Sequence, residues 1–285
     1  MNIPKTDHIF NRSGLAAFSD LNSIEQKDLF SKLEKEQDSF LERQSEFLSR
    51  DYKWPLDPLH TWSRIWEYPY VYYHLKKAVE SPGLPHDFRV VDLGSAVTFF
   101  PFSIAKLGCR VHCLDIDSTC GPNLERAANV VSHSPGKVDF GMISDGRFPL
   151  KDGEVDAVYC VSVLEHIPDF ENTIEEVYRI LKPNGLFVLT IDLDLCGYKE
   201  IGTSGYYRLR QALSKYFYLK EPEFTMHPMD MLPFRSGPFP YITYSTWQSW
   251  QFHMKQRIRH LLGKKSVSFL PNLAVWGAAM TKGAL

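Results

Sequence analysis

An open, doubly wound α/β sheet is expected from residue 88 onward, on three grounds. Short β-branched runs alternate there with helix-like stretches: "FRVVDLG", "FPFSIAKLG", "RVHCLDID", "TCGPNLERAANVV", "KVDFGMI", "EVDAVYCVSVLE", "ENTIEEVYRILKP" and "GLFVLTIDL". Such alternation argues for parallel βαβ units with helices on both faces of a sheet. A stop signal at "ILKPNG", with Lys182 in the last turn and Pro183 and Gly185 past it, ends the helix before the last of these strands. With 285 residues and a hydrophobic fraction of 44%, the chain can also build a sizeable core.

The elements follow in order. Residues 22–50 are charged, with Leu and Phe spaced at three and four, which suits an amphipathic helix. A turn at "KWPLDP" breaks it. Residues 60–80, "HTWSRIWEYPYVYYHLKKAVE", form a helical segment dense in Trp and Tyr, interrupted or kinked at Pro69. "SPGLPHD" is a loop. After residue 192 the pattern loosens into a helix at 203–217, a loop rich in Pro and Met, a basic aromatic helix and a final strand-like stretch, "SVSFLPNLAVWGAAMTKG". This gives a helical N-terminal cap (1–83) and a sheet domain (84–285), with an insertion at about 196–267 forming a substrate lid.

Bulk properties narrow the partners. A formal net charge of −2 provides no global field for nucleic acid. The five cysteines, Cys109, Cys113, Cys120, Cys160 and Cys196, form no CxxC pair and are odd in number, which suits free thiols in a reducing cytoplasm. No stretch resembles a signal peptide or reaches the ~20 apolar residues of a membrane span, so a soluble cytoplasmic protein is expected.

Chemistry is expected at the carboxyl ends of the strands, near the point where strand order reverses. In "VVDLGSAVTFF", Gly94 allows close approach of the backbone, and Asp92 can accept from an ammonium or from loop amides. Ala96 and Thr98 stand where further glycines are usual, so this loop alone fits a buried strand with a turn glycine equally well. Asp115, in "HCLDID", follows the glycine turn at the distance that suits ribose hydroxyls, although Asp117 with Ser118 and Thr119 also reads as a helix cap. A nicotinamide dehydrogenase would need its third glycine where Phe99 stands.

The third stretch carries a resemblance. "MISDGRFPLKDGEVDAVYCVSVLEHIPD" together with "YRILKPNGLFVLTID" resembles the class I S-adenosylmethionine-dependent methyltransferases of the small-molecule type, over roughly residues 88–192. The resemblance implies a Rossmann-like fold, S-adenosyl-L-methionine as cofactor and methyl transfer. It places Asp92, Gly94, Ser95 and Ala96 at the methionine part, Asp115 and Ile116 at the ribose and adenine, and Asp145 and Gly146 at the adenine. It also places Cys160 to Ser162 beside the sulfonium. Ala96 and Thr98 depart from the glycine pattern, in a form similar to the "GS-x-x-(S/T)-x-FP" loop of some bacterial methyltransferases.

For a hydroxyl acceptor a general base helps. Glu165 and His166 are the candidates, with fixing of the loop as their alternative role, and His227 is a weaker one. Asp192 and Asp194 face the same cleft, but their spacing without a histidine makes a poor metal signature, so no metal is expected. Trp66, Tyr68 and Tyr70 either reach the cofactor mouth or bury the cap against the sheet. The segment before the glycine loop also resembles methyltransferases found with bacterial surface-polysaccharide biosynthesis, which adds a glycan to the expected acceptors. Residues 245–265 combine Trp247, Trp250 and Phe252 with Lys255, Arg257, Arg259, Lys264 and Lys265, which fits a lid, a homodimer contact or an anionic membrane surface. Nucleic acid is not expected, because no Asn-Pro-Pro-Tyr-like tetrapeptide follows the fourth strand. The competing expectation is a non-catalytic scaffold with a degenerate cofactor loop.

Overall fold

The chain opens with a short strand β1 (Ser13–Leu15), then helices α1 (Ile24–Glu42), α2 (Gln44–Phe47) and α3 (Arg64–Val79). The alternating region follows as β2 (Arg89–Leu93), α4 (Phe100–Ala105), β3 (Arg110–Asp115), α5 (Cys120–Val130), β4 (Lys137–Met142), β5 (Val155–Val161), α6 (Phe170–Ile180) and β6 (Leu181–Asp194). It ends with α7 (Thr203–Tyr216), β7 (Phe217–Leu219), β8 (Glu223–Phe224) and β9 (Leu273–Lys282). This computed structural model describes residues 8–81, 87–195, 201–235, 237–241 and 272–283, together with 251, 254–255, 257–259 and 261–263.

All these strands join one sheet of nine, in the order β4-β3-β2-β5-β6-β9-β1-β8, with β7 also on β9. The strands from β4 to β6 in that order are parallel, and β9 runs antiparallel to β6. The chain moves outward from β2 to β4 and then returns to the other side of β2, so the order reverses between β2 and β5. In open α/β sheets the carboxyl ends of the strands at such a reversal are where ligands bind.

Both faces of the sheet are covered, which is why its strands are nearly continuous apolar runs. Val90, Val111 and Tyr159 pack with Trp66, Tyr70, Phe100 and Phe102 on one face. Val91, Val158 and Cys160 pack with Ile174, Val177, Leu209 and Leu213 on the other. Neighbouring residues fall into opposite layers because side chains alternate along a strand.

Two features differ from the sequence expectation. Helix α3 is not interrupted at Pro69. A proline lacks the N–H that would bond the carbonyl four residues earlier, and here the Gln26 side-chain amide donates to that Ile65 carbonyl at 2.5 Å. The N-terminal region also supplies a strand of its own: β1 pairs antiparallel with β9, Gly14 opposite Gly277 and Leu15 opposite Trp276. Trp66 and Tyr70 stack at 4.6 Å over this place. A Cβ at Gly277 would come within 3.0 Å of the Trp66 ring.

Within the expected insertion, α7 forms as anticipated. Trp247, Trp250, Phe252, Lys264, Lys265 and Cys196 lie outside the described residues. The other four cysteines are free and buried. No helix among the described residues is long and apolar enough to cross a membrane.

Candidate active site

The turn after β2 is held mainly by backbone groups. Gly94 and Ser95 donate to the Leu114 carbonyl at 2.8 and 3.3 Å, which ties the turn to β3. Ala96 N–H donates to one oxygen of Asp115 and Asp117 N–H to the other, each at 2.9 Å. Val97 N–H donates to the Tyr52 hydroxyl at 2.8 Å, so the loop between α2 and α3 also grips this turn. Gly94 (φ +74°) and Ala96 (φ +46°) both lie in the left-handed region. Glycine enters that region freely and alanine at a cost of about 1–2 kcal/mol. The space a Cβ would fill at Gly94 is taken by Val163, whose two methyl carbons would stand 2.6 Å away. Gly94 thus serves the packing of the β5 loop against the β2 loop, a partner the sequence did not disclose.

Asp92, Asp115 and Asp145 lie at or beyond the carboxyl ends of three adjacent parallel strands. Asp92 pairs in register with Cys113, and Asp115 with Met142, three residues before Asp145. Asp92 is buried beside the Tyr159 hydroxyl, and burial pushes its carboxyl up to about 7; hydrogen bonding from Tyr159 opposes the rise and the charge of Asp115 adds to it. Among the described residues no cation pairs with it. Next to Asp115, Ile116 is 75% exposed. Asp145 (φ +52°) and Gly146 (φ +71°) form an exposed two-residue turn, closed by Arg147 N–H donating to the Ser144 carbonyl at 2.9 Å. Asp-Gly is the dipeptide such turns favour.

At the end of β5, Cys160 points its thiol into the fully buried core, so it can reach the rim only through its main chain. Ser162 (φ +45°) donates from its hydroxyl to Glu67 of α3 at 2.7 Å. Glu67 is completely buried, and its second oxygen accepts from Arg64 at 2.5 Å. Burial alone would lower the Arg64 pKa, yet the charges of Glu67, Tyr68 and Asp192 hold it above its ordinary value. Glu165 accepts from Asp192 N–H at 2.8 Å and turns its other oxygen inward. Burial first, and then the charge of Asp192, push its carboxyl well above the usual range. His166 lies on the exposed side of the same turn.

The aromatic candidates separate. Trp66 donates from its indole to Asp20 at 2.8 Å, and Tyr70 donates to the Arg12 carbonyl at 2.9 Å, so both secure the N-terminal segment. Tyr68 alone faces the cofactor-loop side, stacked on Phe100 at 4.4 Å and edge-on to Phe99 at 5.6 Å. His227 is exposed and accepts Met229 N–H at 3.2 Å. Among the described residues no group of three or more His, Cys, Asp or Glu side chains is arranged to hold a metal. A cavity of about 150 Å³ lies between α1 and α4, lined by Phe40, Phe102 and Lys106 among others and by none of the candidates.

Residues 91–189 match the model of the family described as methyltransferase domain. This stretch of the chain is therefore similar to methyltransferase domains. The chain is 31% identical over 113 residues to the ubiquinone biosynthesis O-methyltransferase of Cupriavidus pinatubonensis, covering 39% of this chain and 44% of that one. It is 33% identical over 111 residues to that of Xanthomonas axonopodis pv. citri, covering 38% and 45%. The chain therefore matches less than half the length of these curated relatives. A geranyl diphosphate methyltransferase solved with S-adenosylmethionine superposes over 74% of this chain and 85% of its own, at 13% identity and a TM-score of 0.49.

Glu67 and Arg64 precede the matched span, and sequence reasoning missed both. A signal existed: Glu67 is a lone acid within the aromatic run "WEYPYVYY", and an acid is almost never fully buried unless paired. Val163 and Tyr52 carried no comparable signal.

Proposed function

We propose that this chain transfers a methyl group from S-adenosylmethionine to an oxygen of a small-molecule or glycan acceptor. The observation that carries the reading is the shared rim: three carboxylates at or just beyond the ends of adjacent parallel strands, beside the point where strand order reverses. The residues suit the ligand. The buried Asp92 carboxyl, with no cation paired to it among the described residues, matches an ammonium group. Asp115 with exposed Ile116 matches a ribose edge and an apolar ring face, and the Asp145–Gly146 turn matches the outer edge of the ring. Gly94, Ser95 and Ala96 would hold the amino-acid portion, with the main chain of Cys160 to Ser162 beside the sulfur.

The bound cofactor supplies an already activated methyl group. What remains for the protein is to align the acceptor, exclude water and take up a proton. Glu165 faces inward, and burial, then the charge of Asp192, raise its carboxyl pKa. Glu165 and the exposed His166 are the groups of this turn that could take up the acceptor's proton. The curated relatives named above are O-methyltransferases, which supports oxygen as the receiving atom.

Titration calorimetry with S-adenosylhomocysteine tests the reading. Micromolar binding is expected. Silence at millimolar concentration would turn the assignment to a non-catalytic scaffold, the alternative that the filled slot at Gly94 and the strained Ala96 favour. With binding in hand, transfer of labelled methyl to small phenols, to glycans and to amines identifies the acceptor class. His166→Ala is expected to lower turnover more than it weakens cofactor binding.

A further inference from the structure

The basic segment that precedes β9 takes no part in the rim, and its described side chains are all exposed. Its backbone is helical at residues 251, 254–255, 257–259 and 261, with Leu262 N–H donating to the Ile258 carbonyl at 3.0 Å. Met254, Ile258, Leu261 and Leu262 are 39, 53, 84 and 64% exposed. Their spacing of four, seven and eight residues puts them within an arc of about 100° on a helix of 3.6 residues per turn. Lys255 and Arg259 border that stripe on one side and Arg257 on the other, since each residue advances about 100° around the axis. Between residues 251 and 265 the sequence holds Lys255, Arg257, Arg259, Lys264 and Lys265 and no Asp or Glu.

We infer that this helix lies in the surface of an anionic lipid bilayer, its apolar stripe among the acyl chains and its cations among the headgroups. Four large apolar side chains held in water along one stripe gain by leaving it. Cations on both borders keep their charged ends at headgroup level while their stems line the apolar boundary. Charge selects this occupant over a second copy of the chain, because an isologous contact would set the same cations against each other. It also selects a negative surface over a neutral one. The helix would then hold the catalytic domain at the membrane without spanning it.

Flotation of the full chain with vesicles tests this without reference to methyl transfer, so its failure is separate from a failure to bind S-adenosylhomocysteine. The protein is expected to float with vesicles of equal parts phosphatidylglycerol and phosphatidylcholine, and to stay behind with phosphatidylcholine alone. Lys255→Glu or Arg257→Glu should lower partitioning at least fivefold, since each cation near such a surface is worth about that factor. Ile258→Asp with Leu261→Asp should lower it more than tenfold. These side chains are exposed, so the melting temperature should stay put; were the apolar variant to unfold, the charge variants still decide. Absence of flotation, equal flotation with neutral vesicles, or insensitivity to both kinds of variant overturns the inference. A dimer that the apolar variant splits, with vesicle binding unchanged, would make the second copy the true occupant.

Discussion

At the ends of β3 and β4 the candidate site is held mainly by groups close together in sequence, apart from Ala96 N–H on Asp115, whereas at the ends of β5 and β6 its partners come from more distant segments. Asp115 accepts from Asp117, and Asp145 and Gly146 sit in a turn closed between Ser144 and Arg147. Ser162 instead bonds Glu67, 95 residues earlier, and Glu165 bonds Asp192, 27 residues later. The first half is open, with Ile116 and Gly146 at the surface, and the second is more enclosed, with Ser162 buried and Glu165 and Asp192 half-buried. The contrast separates two duties. An adenosyl group needs a few exposed polar edges, which a local motif can present. The place where a methyl group moves needs water kept out, and that takes long-range packing.

Two glycines offer the sharpest way to break this comparison. Gly94 and Gly146 have nearly the same φ, +74° and +71°, yet a Cβ meets Val163 at 2.6 Å in one and nothing within 4 Å in the other. Gly146→Ala is expected to cost about 1–2 kcal/mol, the left-handed strain alone. Gly94→Ala adds overpacking, and the total should reach about 3 kcal/mol or more. Urea denaturation of the pair reads the difference. Equal losses would mean that the two halves are not packed differently.

Glu67 comes next. Glu67→Ala leaves Arg64 and the Ser162 hydroxyl without their acceptor. The loss of a fully buried partner costs about 3–5 kcal/mol, but Arg64 is 22% exposed and can recruit water, so about 2 kcal/mol is expected. Glu67→Gln keeps an acceptor for Ser162 and should recover part of it. A double-mutant cycle with Ser162→Ala should show coupling of about 1 kcal/mol. Additive losses would remove the claimed tie between α3 and the end of β5.

Asp92 sharpens the comparison through pH. Its folded pKa, about 7, lies above the ordinary carboxylate value near 4 that the unfolded chain would show. The folded state therefore keeps a proton that the unfolded state releases, and stability falls as pH rises through the window from about 4 to about 7. Asp92→Asn should match wild type near pH 4 and exceed it above pH 7, by an amount on the order of 4 kcal/mol. A ligand ammonium beside Asp92 reverses the preference, so S-adenosylhomocysteine should bind more tightly as pH rises from about 5.5 to 7.5, with proton release. A flat profile in both measurements would remove Asp92 from that role.

The same division explains what could be read from the sequence. The strands from β2 to β6 announce themselves by apolar runs bounded by turn residues, and α6 by its stop signal. β1 and β8, three and two residues long, have no period to detect; β1 exists because β9 offers an edge, and β8 because β1 in turn offers one. Pro69 argued for an interruption because the Gln26 amide that satisfies the Ile65 carbonyl lies 39 residues away. The places of Asp92, Asp115 and Asp145 at or just past strand ends were legible because strand ends are local features. Glu67, Tyr52 and Val163 were not, because nothing near them in sequence says what they touch. Cys160 was placed by its position at a strand end, and the alternation of the strand sends its thiol to the core.

The smallest expected effect falls on the residue that raised the most doubt. Ala96 has φ +46° where the family pattern favours glycine, and its N–H is committed to Asp115 at 2.9 Å. Ala96→Gly relieves a strain of about 1–2 kcal/mol and gives back about 0.4–1 kcal/mol in unfolded-chain freedom. The net gain should be about 1 kcal/mol or less, seen as a small rise in the urea midpoint. Because the Ala96–Asp115 bond is a backbone contact, S-adenosylhomocysteine affinity should change less than threefold. A large gain in affinity would mean instead that the alanine methyl blocks the ligand, and that the loop is the degenerate element of the site.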